Sequence, residues 1–271
     1  MRNLLIVNAD DWGIDEPTTE AALLCFDAGA VTSVSAMVFM AGSQAGSRLA
    51  LARGVPAGLH INLTEPFNAA ADGAARARQA RIAEYFAGPA RRRWGPNSRL
   101  FAEIERAIGE QFEEFHRLYG REPTHVDGHE HIHQSLGVLA ARTIPSGTRM
   151  RPSFTYQPGE KSWPNRSVRA LLNHALRTRF TAPRYFFSIR DMHPTLGGTG
   201  LEEKLALAGG SSVEVMTHPG WEDERAILLD PEWVDLLSSR RVGCYSDLEA
   251  PGRGLARLRR AAASGLGERR P

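Results

Sequence analysis

Leu4-Leu5-Ile6-Val7-Asn8-Ala9-Asp10-Asp11-Trp12-Gly13 opens with four apolar residues that give way at once to polar ones. A short run that is apolar on both faces reads as a buried strand of a parallel sheet, ending at the two aspartates. A helix should follow: Pro17 suits a first turn, Ala21, Ala22, Leu23, Leu24 and Phe26 supply an apolar stripe, and Gly29 is a suitable stop.

The alternation continues outward from this unit. Val31 to Met40 is rich in β-branched and apolar residues, 43–53 is helix-like, and Ala57 to Leu63 is a second short apolar strand, carrying His60. Leu100 to Tyr119 gives the plainest helical signal, with Ile104, Ile108, Phe112 and Phe115 at helical spacing and Gly120 to close it. Pro123 then opens a strand over 124–127. Further strands are predicted at 148–151, 184–189 and 212–217, and further helices at 167–179, 201–208 and 231–238. Repeated βα units imply an α/β protein with a mostly parallel sheet, either closed into a barrel or doubly wound. No break in composition divides the chain, so 1–271 reads as a single domain. The Ala/Arg/Gly/Pro-rich stretch 66–99 reads as an insertion, a lid or an oligomer contact compatible with a homodimer, with one short helix near 78–86, and 264–271 reads as a flexible tail.

Bulk properties narrow the function. With 42% apolar and 24% charged residues among 271, the chain can bury a sizeable core and is not disordered as a whole. The formal charge of +2 comes from patches such as Arg91-Arg92-Arg93 and Arg269-Arg270, not from a broad basic face, so a nucleic-acid partner is not expected. Two cysteines, Cys25 and Cys244, argue against a disulfide-stapled secreted domain. The apolar run at Leu4–Val7 is too short for a signal-peptide core or a membrane span. A cytoplasmic protein without a membrane partner is the expectation.

Polar residues that do not belong in buried strands fall at strand ends, all in the same sense. Asp10 and Asp11, His60, the 127–133 segment and His218 each follow an apolar stretch. In a parallel barrel those ends share one face, where side chains distant in sequence converge. Adjacent strand residues point to opposite faces, so Asp10 and Asp11 cannot both ligate one ion unless the strand is ending there; one could bind a metal while the other acts as a base. His125-Val126-Asp127-Gly128-His129-Glu130-His131-Ile132-His133 holds four histidines and two carboxylates, in a chain with nine histidines, and so points to a metal or catalytic site. Imidazole with one carboxylate suits zinc, cobalt or another first-row ion, whereas more oxygen ligands would suit magnesium or manganese. His218, with Pro219 after it and Trp221 beyond, is a candidate general acid.

Taken together, Ile6-Val7-Asn8-Ala9-Asp10-Asp11-Trp12-Gly13, Val31-Thr32-Ser33, Gly58-Leu59-His60-Ile61-Asn62-Leu63-Thr64, Pro123-Thr124-His125-Val126-Asp127-Gly128-His129 and His218-Pro219-Gly220 resemble the YdjC-type carbohydrate deacetylases over residues 3 to about 221. The resemblance implies a distorted TIM-like (β/α) barrel of the polysaccharide-deacetylase type. It also implies a divalent ion on Asp11, His60 and His129, most often magnesium, with zinc, cobalt and manganese as alternatives, and Asp10 as the base. The implied reaction is removal of an N-acetyl group from an amino sugar or short oligosaccharide. Around this set, Asp127 and His133 are candidates to orient ligand imidazoles, and Trp12 and Trp221 to stack on a sugar face. Arg151 is the one basic residue near a strand end, which would serve a rival reading as a metal-dependent phosphoesterase; a non-catalytic sugar-binding relative is a second rival. After Trp221, and in the insertion after Glu65, the chain departs from the family pattern.

Overall fold

A computed structural model describes residues 3–69, 71–88, 97–157 and 159–248. The 91–93 arginines and the expected tail at 264–271 lie outside the described residues, as does part of the 66–99 stretch. In chain order the elements are β1 (Leu4–Trp12), α1 (Glu16–Asp27), β2 (Ser33–Ala36), α2 (Ser43–Arg53), β3 (Ala57–Ile61), α3 (Gly73–Ala87), α4 (Ser98–Tyr119), β4 (Val126–Gly128) and α5 (Leu136–Leu139). There follow α6 (Trp163–Arg179), β5 (Tyr185–Ser188), α7 (Ile189–Met192), α8 (Leu201–Ala206), β6 (Ser212–Thr217), α9 (Glu222–Leu228) and α10 (Pro231–Ser238).

The six strands form one parallel sheet in the order β4-β3-β2-β1-β6-β5, curled into a half-barrel. Past β4 the ladder continues only as single bridges, Val126 to Met150 and Arg149 to Thr181, where a strand over 148–151 is predicted. Pro152 supplies no amide hydrogen, so pairing cannot run on through that segment. Thr155 N donates to Phe186 O at 2.9 Å and brings the two ends of the curl together.

Side-chain alternation divides the strands more sharply than their apolar character suggests. Leu5, Val7 and Ala9 of β1, Val34 and Ala36 of β2, Ala57, Leu59 and Ile61 of β3, Phe187 of β5, and Val213 and Val215 of β6 belong to the main core, together with residues of the surrounding helices. Their alternate neighbours face inward and are largely polar: Asn8, Asp10, Ser33, Ser35, His60, Asp127 and Glu214, all buried. The barrel interior is thus a polar network inside an apolar jacket, which is stable only if its members are hydrogen-bonded. Gly58 belongs to this design: a Cβ there would stand 2.3 Å from the His125 ring, so only glycine leaves room for that histidine inside the barrel.

The segment after Trp221 closes the lower end. Leu5 N donates to Arg241 O and Gly243 N to Leu5 O, pairing Val242 with the start of β1 below the point where β2 begins. Tyr245 and Leu248 then bury against Leu4 and Ile6. Within the insertion, Asp72 caps α3 by accepting from Ala75 N, and Gln79 of α3 donates to Glu65 O, which ties the excursion to the end of β3. Among the described residues no helix is long and apolar enough to cross a membrane.

Candidate metal centre

Asp10 and Asp11 solve the problem of adjacent strand residues by a bulge. The β1–β2 register shifts between Ala9 and Trp12, and Asp11 takes φ 64, in the left-handed region that non-glycine residues seldom occupy. Such strain persists where surrounding contacts over-determine it, and it gathers at functional sites. Here it aims Asp11 toward the rim while Asp10 stays inside the barrel.

Asp11, His60 and His129 converge at that rim from β1, β3 and the turn after β4. Asp11 Oδ1 lies 2.9 Å from His129 Nδ1 and 3.4 Å from His60 Nε2, and the two rings are edge to face at 5.6 Å. Burial opposes charge on Asp11, yet the hydrogen bonds from His129 and His60 hold its carboxyl far below the usual carboxylate range. One ligand atom from each residue falls within 4.8 Å of the others, as three donors around one cation require. Asp10, His60 and Asp127 also approach one another this closely, but they are wholly buried and both carboxylates already hold the Arg151 guanidinium. A second cation there would face like charge. The partly exposed trio with Asp11 therefore fits a metal, and the inner one does not.

The inner network fixes the trio from behind. His60 Nδ1 lies 2.8 Å from Asp127 Oδ1, which directs Nε2 at the rim. Asp127 Oδ2 accepts from Ser35 Oγ at 2.7 Å and forms an ion pair with Arg151 Nη1 at 2.8 Å. Ser35 in turn accepts from Asn8 Nδ2 at 2.7 Å and meets His125 Nε2 at 3.0 Å. Burial penalises the charged form of His60, but Asp127 and Asp10 outweigh it and push this histidine up to about 10. Burial dominates at His125, held down to about 4. Arg151 grips Asp10 with two hydrogen bonds of 2.6 and 2.7 Å and reaches Glu214 at 2.7 Å. Glu214 also accepts from the Tyr245 hydroxyl, and burial raises its carboxyl to about 7 despite the guanidinium. Tyr245 stacks on His125 at 3.9 Å, so the chain's terminal described segment supports the interior.

His218 follows β6. Its backbone N–H donates to Glu224 Oε2 at 2.6 Å, its Nδ1 lies 3.7 Å from the same oxygen, and its ring stacks on Trp221 at 4.2 Å. Burial would lower its pKa, but Glu224 and the charges of Asp10 and Asp11 raise it above the ordinary histidine value.

Three sequence expectations need correction. Trp12 is wholly buried in the main core and cannot stack on a sugar, because the bulge turns its ring outward beneath the helices against Gly46 and Thr19. His133 is buried with both ring nitrogens lacking a hydrogen-bond partner among the described residues, so it orients no ligand; Asp127 does that for His60. Arg151 does not reach solvent or a substrate, since all its charge is spent on Asp10, Asp127 and Glu214. Trp221 is exposed beside His218, though Arg190 also lies over its ring at 4.7 Å. Asn8, Ser35, Glu214, Glu224 and Tyr245 have roles that sequence reasoning missed. For Glu214, a lone carboxylate inside an apolar strand was the signal.

A carboxylate and two imidazoles gathered at the C-terminal ends of the strands of an α/β barrel could hold a single ion. The chain belongs to the family described as YdjC-like protein, whose match covers residues 4–241. Among its relatives, a mouse carbohydrate deacetylase is 34% identical over 165 residues, 58% of this chain and 51% of that protein. A chitooligosaccharide deacetylase from Serratia marcescens is 33% identical over 134 residues, 49% of this chain and 51% of that one. The chain thus spans about half the length of these curated relatives. A chitooligosaccharide deacetylase from Enterobacter sp. (strain 638) is 29% identical over 271 residues, 92% of this chain and 100% of that one. The fold also matches a crystal structure from Enterococcus faecalis V583, described as a cellobiose-phosphate cleavage protein, with TM-score 0.62 and 20% identity over 92% of this chain and 99% of that one. At that identity the likeness speaks for the fold alone.

Proposed function

We propose that the protein is a metal-dependent hydrolase that removes an N-acetyl group from an amino sugar or short oligosaccharide. The observation that carries the reading is the convergence of Asp11, His60 and His129 at one rim, with a carboxylate oxygen of the buried Asp10 within 4.8 Å of the His60 ring, in a chain whose relatives are named carbohydrate and chitooligosaccharide deacetylases. A divalent ion held by these three residues would polarise the acetyl carbonyl and make a water more acidic.

Asp10 would accept the proton of the attacking water. A carboxylate offers about four acceptor positions, and Asp10 accepts from Asn8 Nδ2, Arg151 NH2 and Arg151 NH1, so room for a proton is left on Oδ2. Arg151 keeps Asp10 ionised against its burial, ready to act at neutral pH. His218, raised above its ordinary pKa, would carry a proton to the departing amine, with Glu224 and Trp221 setting the attitude of its ring. The phosphoesterase alternative loses its main support, because Arg151 is buried and committed.

Acetate release from a panel of N-acetylated sugars tests this reading, using metal-stripped protein with magnesium, manganese, cobalt or zinc added back singly. Release that depends on the added ion and is lost in Asp11→Asn is expected. Saturable sugar binding with no acetate under any ion would overturn it in favour of a non-catalytic sugar-binding protein.

A further inference from the structure

Helix α6 carries Arg166, Arg169, Ala170, Asn173, His174 and Arg177 at three- and four-residue spacing, so they share one face. That face, with Phe154, Thr155, Tyr156, Arg184 and Tyr185, lines a cavity of about 420 Å³, within the range of small-ligand pockets. Four arginines and no carboxylate line it. Elsewhere most described arginines lie against carboxylates: Arg53 on Asp27, Arg81 on Glu103, Arg117 on Glu114, Arg190 on Asp223. None of the four in the cavity has a carboxylate partner among the described residues.

Two of the four are held rigidly. Arg169 donates to Asn165 and Ser153 and lies over the Phe154 and Tyr156 rings at 5.7 and 5.2 Å. Arg177 donates to the carbonyls of Asn173, Pro183 and Arg184. Burial and the neighbouring Arg184 charge both push the Arg177 pKa down, as expected where like charges crowd. Among the described residues no acceptor meets the Arg166 or Arg184 side chain, and Arg166 Nε is buried without a partner there. A buried guanidinium N–H without a partner is costly unless something else supplies the acceptor.

We propose that this cavity is an anion site for a small ligand bearing a phosphate monoester, distinct from the metal centre. A guanidinium fork matches two terminal oxygens of a phosphate dianion, and four cations lining one cavity exceed what one carboxylate could satisfy. Phe154, Tyr156 and Tyr185 supply an aromatic stretch of wall for the rest of the ligand. The cavity is concave, which favours a small molecule over the long polyanion of a nucleic acid. Arg184 and Tyr185 stand at the start of β5, the opposite end of the barrel from Asp11, His60 and His129.

Titration calorimetry on the metal-stripped full chain, with inorganic phosphate, N-acetylglucosamine 6-phosphate and AMP as probes, tests the site. One-site binding that weakens with salt is expected, and Arg166→Gln with Arg184→Gln should weaken it by roughly tenfold or more. Neither residue holds another side chain, so fold and acetate release should be unchanged; Arg166→Lys with Arg184→Lys, which keeps the charge but loses the forks, should fall between. Tighter binding of the sugar phosphate or the nucleotide than of phosphate supports the proposal and shows which ligand body the aromatic wall accepts, whereas binding no tighter than that of phosphate would overturn the monoester and leave a free-phosphate site. The proposal is independent of the metal centre: Asp11→Asn should bind the probes like the parent chain. Absence of saturable binding at millimolar phosphate, undiminished binding in the glutamine double variant, or tighter capture of an RNA oligonucleotide than of any monoester would overturn it.

Discussion

Replacing Arg151 with methionine is the sharpest test of the interior. Arg151 is wholly buried and is the shared cation of three carboxylates, touching Asp10 at 2.6 Å, Asp127 at 2.8 Å and Glu214 at 2.7 Å. Methionine fills similar space but leaves three acids facing one another in the barrel. Removing one partner of a buried ion pair costs about 3–5 kcal/mol, and one kcal/mol lowers the melting temperature by roughly 2–4 °C in a protein of about this size. A fall of about 6–20 °C at neutral pH is therefore expected by circular dichroism or calorimetry. The loss should be smaller in acid. Without the guanidinium the buried acids have folded pKa values raised above their unfolded ones, so the stability tied to their protonation is present at low pH and lost as pH rises. Adding Asp127→Asn and Glu214→Gln to Arg151→Met should restore part of the loss. If Arg151→Met alone melted within about 2 °C of the parent at neutral pH, less than 1 kcal/mol would be at stake, and the interior would not depend on this charge balance.

Asp127→Asn removes the acceptor that orients His60 Nδ1 and should weaken divalent-ion binding by about 10- to 100-fold, read by calorimetric titration with zinc or cobalt; an unchanged affinity would mean that Asp127 serves only Arg151. His218→Ala should lower turnover by about 10²- to 10⁴-fold while leaving metal content intact; wild-type turnover would remove His218 from the chemistry. His125 and His133 are buried and His131 half-buried, and desolvation holds them at about 4, 3 and 4 respectively, against 6.5 when unfolded. A depressed base binds protons better unfolded, so the stability tied to these residues is complete above about 6.5 and is lost as pH falls toward 3–4, on the order of 3 kcal/mol for His125 alone. Acid titration of the fold should show cooperative loss well above the range where exposed carboxylates titrate; a fold unchanged at pH 3 would contradict this.

Much of the frame was legible along the chain because each helix and strand carries its own period. The Ile104, Ile108 and Phe115 stripe sits in α4 as read, and α1, α2, α10 and β6 lie within a few residues of their expected bounds. The strand at 148–151 failed because four residues, Thr-Arg-Met-Arg, cannot tell a full ladder from a lone bridge: pairing depends on the neighbour, and the prolyl nitrogen at Pro152 has nothing to donate. Trp12 misled for a related reason. A bulge adds one residue to the count, and period-two alternation carries no mark of it in advance.

The sequence alone determined which residue types could meet: apolar strands ending in Asp10, Asp11, His60, His129 and His218, with a βα order that puts those ends on one face. Only the tertiary structure decided how the charges divide. Asp10 and Asp127 lean on Arg151 while Asp11 stays open at the rim, and Glu214 and Tyr245 enter from segments with no motif of their own. The physical reason is range. Secondary structure follows from contacts a few residues apart, whereas the balance of buried charge is set by partners up to 141 positions away, as between Arg151 and Asp10.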